Sequence, residues 1–264
     1  MTRSKNSLYE IKLNAGERFM KTVGIIPARW QSSRFPGKPL ADICGKPMIQ
    51  WVYDQARKVQ QLETVYVATD NVEIENVCKA ARIPCIMTKD SHPTHIHRVH
   101  EISKFIEADY YIAICGDEPL IESEVIKTVL PPTDINEKMY VAGLCRYFTD
   151  PAEVIDPANI KVVTNSEDEC VMLSRSPVPF PYKTVMFKYK KTIGVECYSK
   201  SALDFFVSKE KGLLESVEDV TLQRYLENRI PVIYKLVNSV SLSVDTIRDL
   251  EKVRDMIAKK EHYL

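Results

Sequence analysis

The chain has 264 residues, 45% hydrophobic and 27% charged, the profile of a globular protein long enough to bury a core without disulfides. Its 36 Lys and Arg balance 36 Asp and Glu, a neutrality that excludes the broad basic footprint of a nucleic-acid binder. No apolar run nears the ~20 residues of a membrane span, and the seven cysteines, odd in number and without a CxxC pair, read as reduced thiols of a cytoplasmic protein.

Residues 1–19 are mixed and charged, lack a signal-peptide core, and read as an N-terminal arm outside the fold. The rest, 20–264, reads as a single domain. The apolar run 23–26 predicts a buried parallel strand, followed by a polar loop at 27–39. Apolar spacing predicts a helix over 48–59, then a strand at 64–68, a helix at 72–81, a strand at 85–87, a helix at 95–107, a strand at 110–115 and a helix at 122–130. This alternation argues for an α/β fold with a mostly parallel sheet covered on both faces. The stretch 135–205 breaks the rhythm and reads as an excursion; a helix at 217–228, a strand at 231–236 and a last helix to about 260 then complete the chain.

Three segments carry chemistry. The loop after the first strand holds Arg29, Arg34 and Lys38 within ten residues, at the strand end where open α/β sheets bind ligands. It matches neither GxxxxGK[ST] nor GxGxxG, but three cations there suit a triphosphate; the same composition also suits a solvated surface loop. Gly116-Asp117-Glu118-Pro119 follows the strand at 110–115, and a carboxylate at such a strand end suits Mg²⁺, or else caps the next helix. Asp245, before the last helix, has the same two readings. His92, His95, His97 and His100 fall within nine residues; they read as a metal site, though without a completing Cys or carboxylate, as an anion-recognition cluster, or as helix surface or nucleotide packing.

Together these segments sit in a longer pattern. The run IIPARWQSSRFPGKPLADICGKPMI at 25–49 closely resembles the opening of the 3-deoxy-D-manno-octulosonate (Kdo) cytidylyltransferases. VATDN at 67–71, GDEP at 116–119, NIKVV at 159–163, SRSPVP at 174–179, IG at 193–194 and VDT…DLEKVR at 244–254 match further blocks in order. The resemblance implies a Rossmann-like nucleotidyltransferase fold and a homodimer built on the excursion. It also implies Mg²⁺ on Asp117 and Asp245, with CTP phosphates on Arg29, Ser33, Arg34 and Lys38. By the same match the Pro27-Ala28 backbone, His92, Arg98, Cys115 and Gly116 stand beside the nucleotide, and Arg29, Lys38 and Asp117 are the catalytic set. His95, His97, Glu196, Glu218 and Arg224 are the expected acceptor-binding residues.

The match has departures. The family's H-x-S-G-T-D/E-R block stands here as His92-Pro93-Thr94-His95-Ile96-His97-Arg98. Its Gln before GDEP is Cys115, its late Glu-Gln pair is Thr221-Leu222, and its Tyr-Gly is Glu196-Cys197. The implied reaction is transfer of CMP from CTP to a small acidic acceptor with release of pyrophosphate, the acceptor being Kdo or a related sugar acid. The changed blocks keep two alternatives open: a phosphonate or phosphate acceptor, and a catalytically idle nucleotide-binding protein.

Overall fold

The computed structural model describes residues 20–31, 35–133, 139–184 and 186–261; the expected arm at 1–19 and the loop residues Ser33 and Arg34 lie outside the described residues. The first strand, β1, is Thr22–Ala28. Its period-two pattern sends Val23 and Ile25 to one face of the sheet, and Ile26 and Ala28 to the other. Asp42–Ile43 (β2) and Lys46–Pro47 (β3) pair as a small hairpin before α1, Met48–Ala56. Val65–Thr69 is β4 and Val72–Ala80 is α2, capped by Asn71, whose side chain accepts from Glu73 N and Ile74 N. Cys85–Met87 (β5), His95–Ile102 (α3), Tyr110–Ile114 (β6) and Ser123–Thr128 (α4) follow in the predicted order.

The second half supplies Val141–Tyr147 (β7), Lys161–Thr164 (β8), Cys170–Ser174 (β9) and Lys190–Ser199 (β10). Then come Lys200–Ser208 (α5), Leu213–Glu218 (α6), Gln223–Glu227 (α7), Ile233–Leu236 (β11) and Ile247–Glu261 (α8). The central sheet runs β11-β7-β10-β6-β1-β4-β5, with β8 paired to β10 and β9 to β8. The pairs β6–β1, β1–β4, β4–β5 and β7–β11 are parallel, and β10 lies antiparallel between β6 and β7.

Two expectations change. The stretch 135–205 is more than an excursion, because β7 and β10 belong to the central sheet, which leaves the β8–β9 hairpin and the segment around 175–189 beside it. Lacking βα rhythm, β10 inserts antiparallel and so gives no parallel-sheet signal in the sequence. The expected helix at 217–228 is two, α6 and α7, separated at Asp219, whose φ of 50° is left-handed. Arg175 holds that break: its side chain donates to the carbonyls of Glu218 and Asp219, the second at 3.1 Å.

Helices cover both faces. α1, α2 and α4 place Ile49, Val52, Ile74, Cys78 and Val125 on the Ile26 side. α3, α5 and α7 place Ile96, Val99, Leu203, Phe206 and Tyr225 on the Ile25 side. α8 packs Leu250, Val253 and Ile257 against Ile43 and Met48. Each fully buried Ile, Leu or Val contributes about 1.5–3 kcal/mol.

Within the second layer an ion pair lies in the core. Arg224 Nε and Nη2 donate to the two carboxylate oxygens of Glu215 at 2.6 and 2.7 Å, and Nη1 donates to the carbonyls of Phe206 and Lys209. The guanidinium carbon also lies 3.8 Å from the centroid of the Phe206 ring. Arg224 and Glu215 are 3% and 0% exposed, so removing one strands the other in the core. Glu215→Ala is expected to cost about 3–5 kcal/mol of unfolding free energy, read as a lowered urea midpoint at unchanged slope.

Candidate active site

The C-terminal ends of β1 and β6, the start of α3 and the turn before α8 enclose a cavity of about 390 Å³. Its lining includes Pro27, Ala28, Arg29, Lys38, His92, His95, Arg98, Cys115, Gly116, Asp117 and Asp245, all expected from the sequence. It also includes Pro39, Pro93, Thr94, Asp219 and Thr221, which carry no expected site role. Asp219 and Thr221 reach it because the chain breaks between α6 and α7, a break that helical periodicity conceals.

At the centre Lys38 Nζ donates to Asp117 Oδ2 at 2.6 Å and lies 3.4 Å from Asp245 Oδ1. Burial works against the ammonium, yet Asp117 and then Asp245, by charge and hydrogen bonding, raise its pKa above the ordinary lysine value. The helix-capping alternatives for both acids fail. α4 starts at Glu122 without a side-chain cap. At α8 the cap is reciprocal: Asp249 Oδ2 accepts from Thr246 N at 2.9 Å, and Asp249 N donates to Thr246 Oγ1 at 3.3 Å. Asp117 and Asp245 therefore face one cation from two chain segments. Val244 N, donating to the Asp117 carbonyl at 2.8 Å, joins those segments.

The other cations differ in what holds them. Arg98, 4% exposed, donates to Asp70 Oδ2 at 2.6 Å and to Thr88 Oγ1, and Asp70 Oδ1 accepts from Trp30 N at 3.4 Å. Arg98 thus anchors the loop after β1. His92 Nε2 lies 2.5 Å from Glu101 Oε2. Arg29 is exposed at the rim and makes no ion pair among the described residues. His95 Nε2 lies 2.7 Å from Glu196 Oε2, which also accepts from the Tyr198 hydroxyl at 2.5 Å. Burial disfavours the imidazolium, but the charge and hydrogen bond of Glu196, with Asp117 behind, raise the His95 pKa. Glu196 moves oppositely: burial would lift it, and His95 and the Tyr198 hydroxyl pull it below the usual range. Cys115 stays a neutral thiol, since burial and the neighbouring carboxylates push its pKa well up.

Four of the expected acceptor-binding residues do not line the cavity. Glu196 stands behind His95, its Oε2 taken by the His95 ring and the Tyr198 hydroxyl. Arg224 is spent on Glu215 in the core. Glu218 accepts from Ser174 Oγ at 2.9 Å and from Arg175 N, so it fastens α6 to the end of β9. His97 turns the other way, with Nδ1 2.9 Å from Thr94 Oγ1 and its ring edge-on to Phe206 at 5.3 Å between centroids. Residues one or two apart on a helix point in different directions, so His95 and His97 could not both face the ligand. Ile96 and Leu222, where the family has a hydroxyl and an amide, are 0% and 2% exposed in the core. Among the described residues no group of three His, Cys, Asp or Glu side chains closes around a metal position.

The cytidylyltransferase family profile matches residues 23–252. The 3-deoxy-manno-octulosonate cytidylyltransferase of Escherichia coli is 36% identical over 240 residues, covering 91% of this chain and 97% of its own length. That of Fusobacterium nucleatum is 37% identical over 242 residues, covering 90% and 97%. A solved structure of CMP:2-keto-3-deoxy-manno-octonic acid synthetase complexed with CTP superposes with a TM-score of 0.85 at 36% identity, over 91% of this chain and 99% of that one. The inositol-1-phosphate CTP transferase from T. maritima, at 15% identity and a TM-score of 0.67 over 92% and 97%, shares the fold.

The histidines separate by protonation. Burial first, then the charges of Arg224 and the other histidines, lowers the His97 pKa to about 4. A depressed histidine pKa means that the unfolded chain binds the extra proton first. Its contribution to stability is thus complete above about pH 6.5 and is lost as the pH falls towards 4. In an NMR titration the His97 ring is expected to stay neutral until about pH 4, while His95 titrates above the ordinary histidine value.

Proposed function

This chain belongs to the cytidylyltransferase family, and we propose that it transfers CMP from CTP to 3-deoxy-manno-octulosonate or a closely related 2-keto sugar acid, releasing pyrophosphate. The observation that carries this reading is the convergence of Lys38, Asp117 and Asp245 at the mouth of the parallel strands, inside a fold superposing on a CTP-bound synthetase. The phosphonate alternative loses support, because three of the changed residues, Ile96, His97 and Leu222, lie outside the cavity lining.

The two carboxylates fit a divalent cation. Mg²⁺ takes one or two carboxylates and completes its shell with water and substrate phosphate, so a closed protein cage is not required. Asp117 and Asp245 would hold it, and when bound it supplies positive charge at the α-phosphate and lowers the pKa of the attacking hydroxyl.

The chain's own residues do the rest. The Pro27-Ala28 backbone and Gly116 bring the nucleotide close to the sheet end. Arg29 and Lys38, which line the cavity, are assigned to the charge that accumulates on the departing pyrophosphate; the family resemblance assigns Arg34 the same role. Arg98 keeps their loop in place through Asp70. Catalysis on this scheme is positioning and electrostatics, as for other phosphoryl transfers.

The homodimer implied by family resemblance would use the region beside the sheet. Phe180, Tyr182 and Met186 are 79%, 86% and 83% exposed there, apolar surface that a second copy would cover. Sedimentation equilibrium is expected to give twice the chain mass, and a persistent single-chain mass at micromolar concentration would refute the dimer. Pyrophosphate release from CTP with 3-deoxy-manno-octulosonate tests the reaction itself, no release above the acceptor-free rate counting against it. Asp117→Asn and Asp245→Asn are each expected to lower kcat by about 10²-fold or more; near-normal turnover in either at saturating Mg²⁺ would remove that residue from the metal site.

A further inference from the structure

Among the cavity's basic side chains, most donors are already committed. Lys38 is taken by two carboxylates, Arg98 by Asp70 and Thr88, and His92 by Glu101. Arg29 lies on the β1 side, beside the loop assigned to the triphosphate. His95 differs from all of these. Its Nε2 is tied back to Glu196, so the ring is anchored from behind, and it lines the cavity with its side chain 28% exposed. Its Nδ1 has no hydrogen-bond partner among the described residues.

The anchor is itself built in. Glu196 is held at once by His95 and by the Tyr198 hydroxyl, both on the one oxygen Oε2. The register of β10 against β7 shifts between Ile193 and Glu196, an irregularity that re-aims the strand at this residue. Glu196 pairs with Ala113 on β6, two residues before Cys115 in the cavity wall. A carboxylate behind an imidazole accepts from Nε2–H and sets the ring's orientation; the far nitrogen is a directed N–H donor when the ring carries its second proton.

We propose that His95, positioned by Glu196 and Tyr198, is the residue that holds the acceptor's acid group, its Nδ1–H donating to one of that group's anionic oxygens. This rests on the transfer reaction proposed above and names the feature read in its second substrate: a compact acid group beside the attacking oxygen. Carboxylates and phosphonates share that chemistry, and one donor bond at a single point accepts either; the acceptor's remaining atoms decide between them. Against burial, the charge and hydrogen bond of Glu196 raise the His95 pKa, the direction that Nδ1–H donation requires.

Steady-state kinetics on the full-length enzyme with CTP and Mg²⁺ test this, using 3-deoxy-manno-octulosonate and phosphonoacetate as separate acceptors. His95→Gln, which places an amide near the Nε2 position, is expected to raise the acceptor KM about tenfold or more, the loss of one charge-assisted hydrogen bond. His95→Asn, whose amide nitrogen approximates Nδ1, is expected to raise it less, and Glu196→Gln to raise it in the same direction. All three are expected to leave the CTP KM within about twofold. A purely packing role for His95 would shift both KM values or the melting temperature, and would not rank Asn above Gln. Turnover with an unchanged acceptor KM in His95→Gln would overturn the assignment while leaving the transfer reaction intact. If the wild type turns over neither acid, the proposed acceptor class fails, and calorimetry on the CTP-bound enzyme then judges His95 separately. Binding of either acid that weakens in His95→Gln supports the clamp; equal binding, or none, overturns it.

Discussion

Glu118 joins the segments on which the site is built. It is 7% exposed, its Oε1 accepts from Gly194 N at 2.6 Å, and its Oε2 accepts from Ser241 Oγ at 2.6 Å. One side chain thereby ties the end of β6 to the irregular stretch of β10 and to the segment leading into Asp245. Burial, with Asp117 adding its own charge, pushes the Glu118 carboxyl above the ordinary range against those two hydrogen bonds. Gly194 is required for the contact: a Cβ there would lie 2.6 Å from the Cys115 Cβ and 2.9 Å from Glu118 Oε1. The second acid of the GDEP block therefore builds the frame, and only the first, Asp117, faces the cavity.

From that frame the cavity sorts its charges. Asp117 and Asp245 come from positions 79 and 207 residues away from Lys38, and both meet its ammonium. The positions that set this chain apart from its family sort as well. Ile96 and Leu222 are core residues and His97 lies edge-on to Phe206, while His95, Cys115 and Thr221 line the cavity. A substitution pattern that looks like a wholly rebuilt pocket in the linear chain becomes, in the fold, partly a repacked buried face, with His95, Cys115 and Thr221 left at the cavity wall.

Much of the architecture was legible in the sequence because it rests on local periodicity. Apolar runs marked β1, β4 and β6, the spacing of Met48, Ile49, Val52 and Ala56 marked α1, and the loop cations followed the strand where such folds place ligands. The block order from residue 25 to residue 254 identified the family, and the matching of residues 23–252 agrees with it.

What the tertiary structure decided depends on groups far apart in the chain. Hydrophobic pattern does not say that β10 runs antiparallel between two parallel strands, because a fully buried strand reads the same in either direction. Nor does spacing say whether an acid caps a helix or faces a ligand; Asp245 turns to Lys38 because Thr246 and Asp249 complete the cap between them. Glu218 and Arg224 stand in a block that reads as acceptor-binding, yet the desolvation cost of a buried guanidinium demands a carboxylate, and Glu215 supplies it. The partnership of His95 with Glu196 spans 101 residues and rests on an irregularity in β10 that has no local signature, so only the folded sheet could bring the two together.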